Sequence, residues 1–209
     1  MPWYGRLSIF FNFFINLFIT NINSNMASVF DTIKTRAGDT TKSATWYRTQ
    51  VNKIASNTTA GQLFRQGKLN SRPSVGRLNL FGYNPKYRKT LPYYDVFPLV
   101  LPLEPISGGF MGMNFHYLPP MLRFRLLERM QATATDSRFD SKTKFDVNYD
   151  DVKRIKIVKP TIKKYLYSYV QTGFLRINAD EAATAIYLPV QRFKKASVAT
   201  VYADSRRFI

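Results

Sequence analysis

The stretch VFPLVLPLEPISGGFMGMNFHY, residues 96–117, decides how the chain is read. Two apolar runs, 96–103 and 110–117, flank the turn signal Ser107-Gly108-Gly109, so the segment is predicted as a β-hairpin. Pro98 and Pro102 rule out a helix for the first run and assign it to an edge or bulged strand. Just upstream, residues 77–83 are a further strand candidate, ended by the turn pair Asn84-Pro85. Three strands joined by tight turns predict a small, strongly bent antiparallel sheet, an SH3-like partial barrel.

Working outward, Pro119-Pro120 sits where helices begin. Leu122, Leu126, Leu127 and Met130 then form an apolar stripe, with Arg123, Arg125 and Arg129 off it. A second helix is expected over residues 149–157. A third places Ile162, Tyr165, Leu166, Tyr169 and Val170 on one face, turns Lys163 and Lys164 away and ends at Gly173. Residues 174–177 are a short strand candidate, and Asn178-x-x-Glu181 opens one more helix, through Ile186. Towards the N-terminus, Ser28-x-x-Asp31 has the form of a capping box. Phe30, Ile33 and Ala37 share one helical face, Gly38 marks a break, and Tyr47, Val51 and Ile54 recur at helical spacing. The predicted class is therefore α+β, with N-terminal helices, the bent sheet and a helical C-terminal half. Three regions are expected: 1–25 as a mis-called start or a non-globular leader, 26–76 as a basic helical arm and linker, and 77–209 as one α+β domain.

Residues 7–22 are rich in Phe, Asn and Ile, and their asparagines interrupt an apolar run too short to span a membrane. Three readings stand: translated upstream DNA ahead of a start at Met26, a signal or anchor, or part of the structure. The composition, which reflects AT-rich codons, favours the first.

Charge gives the strongest global signal. Lys and Arg number 31 against 13 Asp and Glu, a formal net charge of +18. Such an excess repels itself in a compact chain and is best tolerated opposite a polyanion. Nucleic acid is the foremost partner; an acidic protein face is the next, and a merely solvated surface the third. The chain has no cysteine, which excludes disulfides, thiolate nucleophiles and thiolate metal sites. His116 is its only histidine and reads as a packed or hydrogen-bonded residue. Asp136, Asp140, Asp146, Asp150 and Asp151 would have to hold magnesium in a nuclease, but they lie in a polar connection where turn formation and helix capping explain them. No phosphate-cradling glycine loop is present. No catalytic residue, metal or cofactor is assigned, and an enzyme is not expected.

What remains is binding. Lys86, Tyr87, Arg88 and Lys89 combine cations with an aromatic ring, as do Arg192, Phe193, Lys194 and Lys195; Arg206 and Arg207 follow near the end. Cations meet phosphates, and exposed rings stack on unpaired bases. Lys86, Tyr87, Arg88, Lys89, Arg192, Lys194, Lys195, Arg206 and Arg207 are the candidate DNA-binding residues.

Several blocks carry a family resemblance. They are Phe81-Gly82-Tyr83-Asn84-Pro85-Lys86, Thr90-Leu91-Pro92-Tyr93-Tyr94-Asp95-x-Phe97-Pro98-Leu99-Val100 and Gly108-Gly109-Phe110-x-Gly112-x-Asn114-x-His116-Tyr117-Leu118-Pro119-Pro120. Arg192-Phe193-x-Lys195-Ala196-Ser197 and Tyr202-Ala203-Asp204-Ser205-Arg206 complete them. The chain from 77 to 209 resembles a family of small structural proteins of T-even-type contractile-tailed phages, the DNA end protectors. The resemblance implies a late virion protein at the head–tail joint. Its partners would be double-stranded DNA ends and head–tail joint proteins, with no small-molecule substrate and no membrane. It would bind the packaged genome's terminus without sequence preference and shield it from host exonuclease. The alternative is a purely structural neck, baseplate or tail protein docked on an acidic partner. The resemblance assigns no DNA contact to a particular residue.

Overall fold

The computed structural model describes residues 28–38, 40, 42–54 and 58–209. The expectation for residues 1–25 lies outside the described residues. The predicted hairpin is the centre of the fold. Strands β4 (Leu99–Ile106) and β5 (Gly109–Asn114) pair antiparallel around Ser107 and Gly108. Gly108 takes φ 71°, a left-handed conformation that suits glycine. A Cβ on Gly109 would lie 1.9 Å from the Tyr165 carbonyl oxygen, so only glycine lets the next strand approach.

Four more strands extend the hairpin into an open antiparallel sheet: β1 (Leu69–Asn70), β2 (Leu78–Leu80), β6 (Ile162–Leu166) and β7 (Phe174–Ile177). The order is β1-β7-β2-β4-β5-β6, which leaves β1 and β6 as edges. The sheet therefore does not close into a barrel. β4 is central rather than an edge, and the bulged alternative holds, because the register shifts between Pro102 and Glu104. β2 pairs only with Leu99 and Val100 of β4, so Pro102, which has no N–H to donate, lies beyond the doubly paired part.

The C-terminal half is not mainly helical, and the helix expected over 162–170 is a strand followed by a 3-10 turn at Tyr167–Tyr169. The spacing of Ile162, Tyr165, Leu166, Tyr169 and Val170 fits a helix, but β-branched and aromatic residues favour strands. Pro160 stands just before them, and the free side of β5 supplies a backbone partner for every residue from Ile162 to Leu166. Gly173 consequently ends no helix and leads into β7. Helix 149–157 shortens to one turn and a 3-10 segment, Lys156–Thr161.

The strand alternation builds two cores. Leu78, Leu80, Leu99, Leu101, Met113, Leu175 and Ile177 face the helices. Val100 and Phe174, one residue out of phase, join Phe81, Tyr83, Phe110 and Tyr165 in an aromatic cluster on the other face. The helical layer contains α1 (Val29–Ala37), α2 (Ala44–Ile54), α3 (Ala60–Gln66), α4 (Pro120–Gln131), α5 (Tyr149–Val152), α6 (Ala179–Ala185) and α7 (Val198–Arg206). The capping box forms as expected at Ser28/Asp31, and α1 ends against Gly38; at Asn178/Glu181 only half of it forms, the Glu181 carboxylate accepting from Asn178 N (2.7 Å) while Asn178 Oδ1 has no partner among the described residues. Residues 60–70, expected as part of an arm and linker, make α3 and β1, and β1 pairs with β7.

Arg123 is not on a solvent face. It sits three, four and seven residues before Leu126, Leu127 and Met130 and so shares their buried side, with 1% exposure. Its guanidinium donates to the carbonyls of Leu118 (2.7 Å) and Ile186 (2.9 Å) and to the Tyr202 hydroxyl (2.6 Å). Burial lowers its pKa.

Candidate nucleic-acid interface

The basic segment 86–89 belongs to a compact turn. Arg88 N donates to Pro85 O, and both Thr90 N and Leu91 N donate to Tyr87 O. These local bonds satisfy the backbone and leave Lys86, Tyr87, Arg88 and Lys89 exposed. The second basic segment comes to it through a two-stranded ribbon. β3 (Tyr94–Asp95) pairs antiparallel with β8 (Phe193–Lys194), Tyr94 opposite Lys194. Lys195 then donates its ammonium to Lys89 O (2.7 Å) and Leu91 O (2.8 Å). It does so from φ 69°, a conformation that costs a non-glycine residue about 1 kcal/mol. Of the candidates, Lys195 is therefore a clamp that shapes the turn.

Asp95 fixes the ribbon to the sheet. Its carboxylate is buried and accepts from Phe97 N (3.1 Å), Arg192 N (3.2 Å) and Asn114 Nδ2 (3.4 Å). The remaining partner is His116, whose Nδ1 lies 2.8 Å away. A carboxylate only accepts, so Nδ1 carries the proton. Burial lowers the His116 pKa, against the opposing pull of Asp95, so the ring is neutral at pH 7. His116 is hydrogen-bonded structure, as its sequence context implied.

Aromatic rings hold the other side. Tyr117 packs on Phe193 (5.2 Å between centroids) and Tyr93 (6.0 Å). Burial, with Asp95 adding, pushes the Tyr117 phenol well above its ordinary value, so it stays protonated. Lys163 reaches over the Tyr117 ring (4.2 Å) and donates to Pro160 O (2.9 Å). Burial pulls its pKa down to about 8. Between turn and sheet lies an open cavity of about 420 Å³, walled largely by tyrosines and edged by Lys86 and Lys163.

Arg192 and Lys194 are exposed on the ribbon. Arg207 is exposed and pairs with Asp204 at 3.4 Å; both act on the Tyr93 phenol, whose pKa is raised by burial first, then by Asp204. Arg206 is exposed on the last turn of α7. The fold thus brings the 86–89 and 192–195 segments together. Sequence reading missed Tyr93, Tyr117 and Lys163. The only signal for the lysine was its basic character, because the pairing of β6 with β5 is what sets it beside the turn.

Four of the five carboxylates weighed for a metal have other duties. Asp136 pairs with Arg138 and Asp150 with Lys153. Asp140 accepts from Lys142 N and Thr143 N, and Asp151 closes a capping box with Asn148. Among the described residues no helix is long and apolar enough to cross a membrane.

A family model described as phage T4 terminal DNA protecting protein matches residues 15–206. No curated protein and no solved structure matches the chain.

Proposed function

Because the chain belongs to the phage T4 terminal DNA protecting protein family, we propose that it occupies the ends of phage DNA in the virion, at the head–tail joint, and shields them from exonuclease without catalysing a reaction itself. Binding is independent of sequence. Lys86, Arg88, Lys89, Arg192 and Lys194 meet phosphates and release their counterions, while Lys195 keeps the turn in shape. The observation that carries this reading is the union of two basic-aromatic segments, about a hundred residues apart in sequence, by the β3–β8 ribbon and the Lys195 clamp. Their candidate contact side chains are exposed, and the buried Asp95 spends its oxygens on four hydrogen bonds within the fold.

The test is digestion of linear duplex by a double-strand exonuclease, with nicked circles as a binding competitor. The protein is expected to slow loss of the linear DNA. If about six phosphates are engaged, affinity falls roughly a thousandfold between ~50 and ~200 mM salt. Digestion at an unchanged rate under saturating protein overturns end protection. Degradation of DNA by the purified protein with magnesium overturns the non-catalytic reading.

A further inference from the structure

The cavity between the basic turn and the sheet has a feature that phosphate binding alone does not require. Six tyrosines line it: Tyr83, Tyr117 and Tyr165 are buried in its floor, and Tyr87, Tyr93 and Tyr94 keep accessible ring surface. Its volume, about 420 Å³, is within the ~300–1,000 Å³ typical of small-ligand sites. A duplex cannot enter such a space, whereas one unpaired nucleotide can. Lys86 and Lys163 edge it, and Lys86 lies 5.3 Å from the Tyr87 ring, so cation and stacking surface are neighbours. The single carboxylate in its wall, Asp95, is 3% exposed and already hydrogen-bonded by four donors. The lining therefore suits a ligand with an aromatic body and an anionic rim.

We infer that this cavity seats the unpaired terminal nucleotide of a DNA strand, with its base against the Tyr87, Tyr93 and Tyr94 rings and its phosphate met by Lys86 and Lys163. The inference rests on the DNA-end reading above and deepens it. Duplex interiors keep their bases paired and stacked, while ends fray or carry overhangs. A seat for one splayed nucleotide thus turns sequence-independent phosphate binding into preference for an end. Stacking on aromatic side chains does not depend on base identity, because every base has a π-face. Stacking of one base corresponds to roughly five- to 150-fold in affinity.

The test uses the full chain and one duplex sequence in three forms: with a one-nucleotide overhang, with blunt ends, and closed as a relaxed circle that has neither a terminus nor an unpaired base. The wild-type protein is expected to bind the overhang form roughly tenfold more tightly than the closed form, with the blunt form between them. Tyr87 is 63% exposed, so Tyr87→Ala keeps the fold, and it is expected to bring the overhang-to-closed ratio towards one. Lys86→Ala, also at an exposed position, is expected to lower the same ratio by a smaller factor. A 2-aminopurine in the overhang should change its fluorescence on binding to wild type, and less so with Tyr87→Ala. Equal affinity for overhang and closed forms, or an unchanged ratio in Tyr87→Ala, overturns the seat. If wild type protects linear DNA from exonuclease yet shows no preference among the forms, the seat is wrong and end protection stands. If wild type binds none of the three, both readings fall.

Discussion

The turn at residues 86–91 and the first turns of α4 both hold cations, and they use them in opposite ways. In the turn, Lys86, Arg88 and Lys89 are exposed, and the backbone bonds to itself and to Lys195. In α4, Arg123 is 1% exposed and gives its donors to carbonyls and a phenol, with no carboxylate at ion-pair distance among the described residues. The first arrangement leaves charge available to a partner. The second commits the charge to joining α4, the Ile186 segment and α7. The net charge of +18 is thus not one pool, and counting cations overstates how many can reach phosphate.

The largest effect expected from breaking this contrast is at Arg123. Arg123→Met retains bulk but strips the Leu118 and Ile186 carbonyls of their donor, at ~1–3 kcal/mol for each orphaned group. A loss of about 3 kcal/mol should appear as a lower urea midpoint with an unchanged slope. DNA affinity of the folded variant should match wild type. Selective loss of binding with stability intact would place Arg123 on the wrong side of the comparison.

Replacing Lys86, Arg88 and Lys89 together by Gln should do the reverse. Exposed substitutions leave stability within about 0.5 kcal/mol each. Three lost phosphate contacts should reduce the slope of log affinity against log salt by about 2.7. An unchanged slope means the turn does not face DNA.

A smaller effect separates the two regions by pH. The pKa of His116 is lowered by burial, so in acid an unfolded chain takes up a proton that the folded one resists. Its contribution to stability is complete above the ordinary value of ~6.5 and is lost as pH falls through the lowered folded value, by at most ~1.4 kcal/mol per pH unit. His116→Asn should flatten the urea midpoint against pH below ~6.5. A wild-type profile that stays flat there would show that the imidazole is not held neutral.

The same contrast explains what was legible in the sequence. The hairpin was, because Ser107-Gly108-Gly109 and the prolines act locally. The helix starts at Ser28 and Asn178 were, for the same reason. β6 was not: its residues fit a helical period, and only the free side of β5, some fifty residues away, decides otherwise. Arg123 shared the register of Leu126, Leu127 and Met130, yet charge alone was taken to mean exposure. Among the candidate site residues, those in the turn and on the ribbon were legible as chemistry. Their union was not, since it depends on β3 pairing with β8 and on Lys195 reaching back more than a hundred residues. The cavity was invisible for the same reason, being made by surfaces that meet only after folding.

Lys163 lies between the two kinds of cation and gives the smallest effect. Its ammonium is partly buried over Tyr117, and burial lowers its pKa from the ordinary 10.5 to about 8. At pH 7 it is charged in both states, and the folded state bears the desolvation cost. Lys163→Met removes that cost and should raise stability by about 1 kcal/mol at pH 7. Between pH 8 and 10.5 the folded wild-type chain sheds the proton while the unfolded chain keeps it, so wild type gains stability as pH rises. The advantage of the Met variant should therefore shrink over that range. If the ammonium meets a phosphate, the same variant loses about 0.9 from the salt slope. A more stable protein that holds DNA ends less tightly would show that this half-buried charge is retained for binding, whereas one that is more stable and binds equally well would put Lys163 with Arg123.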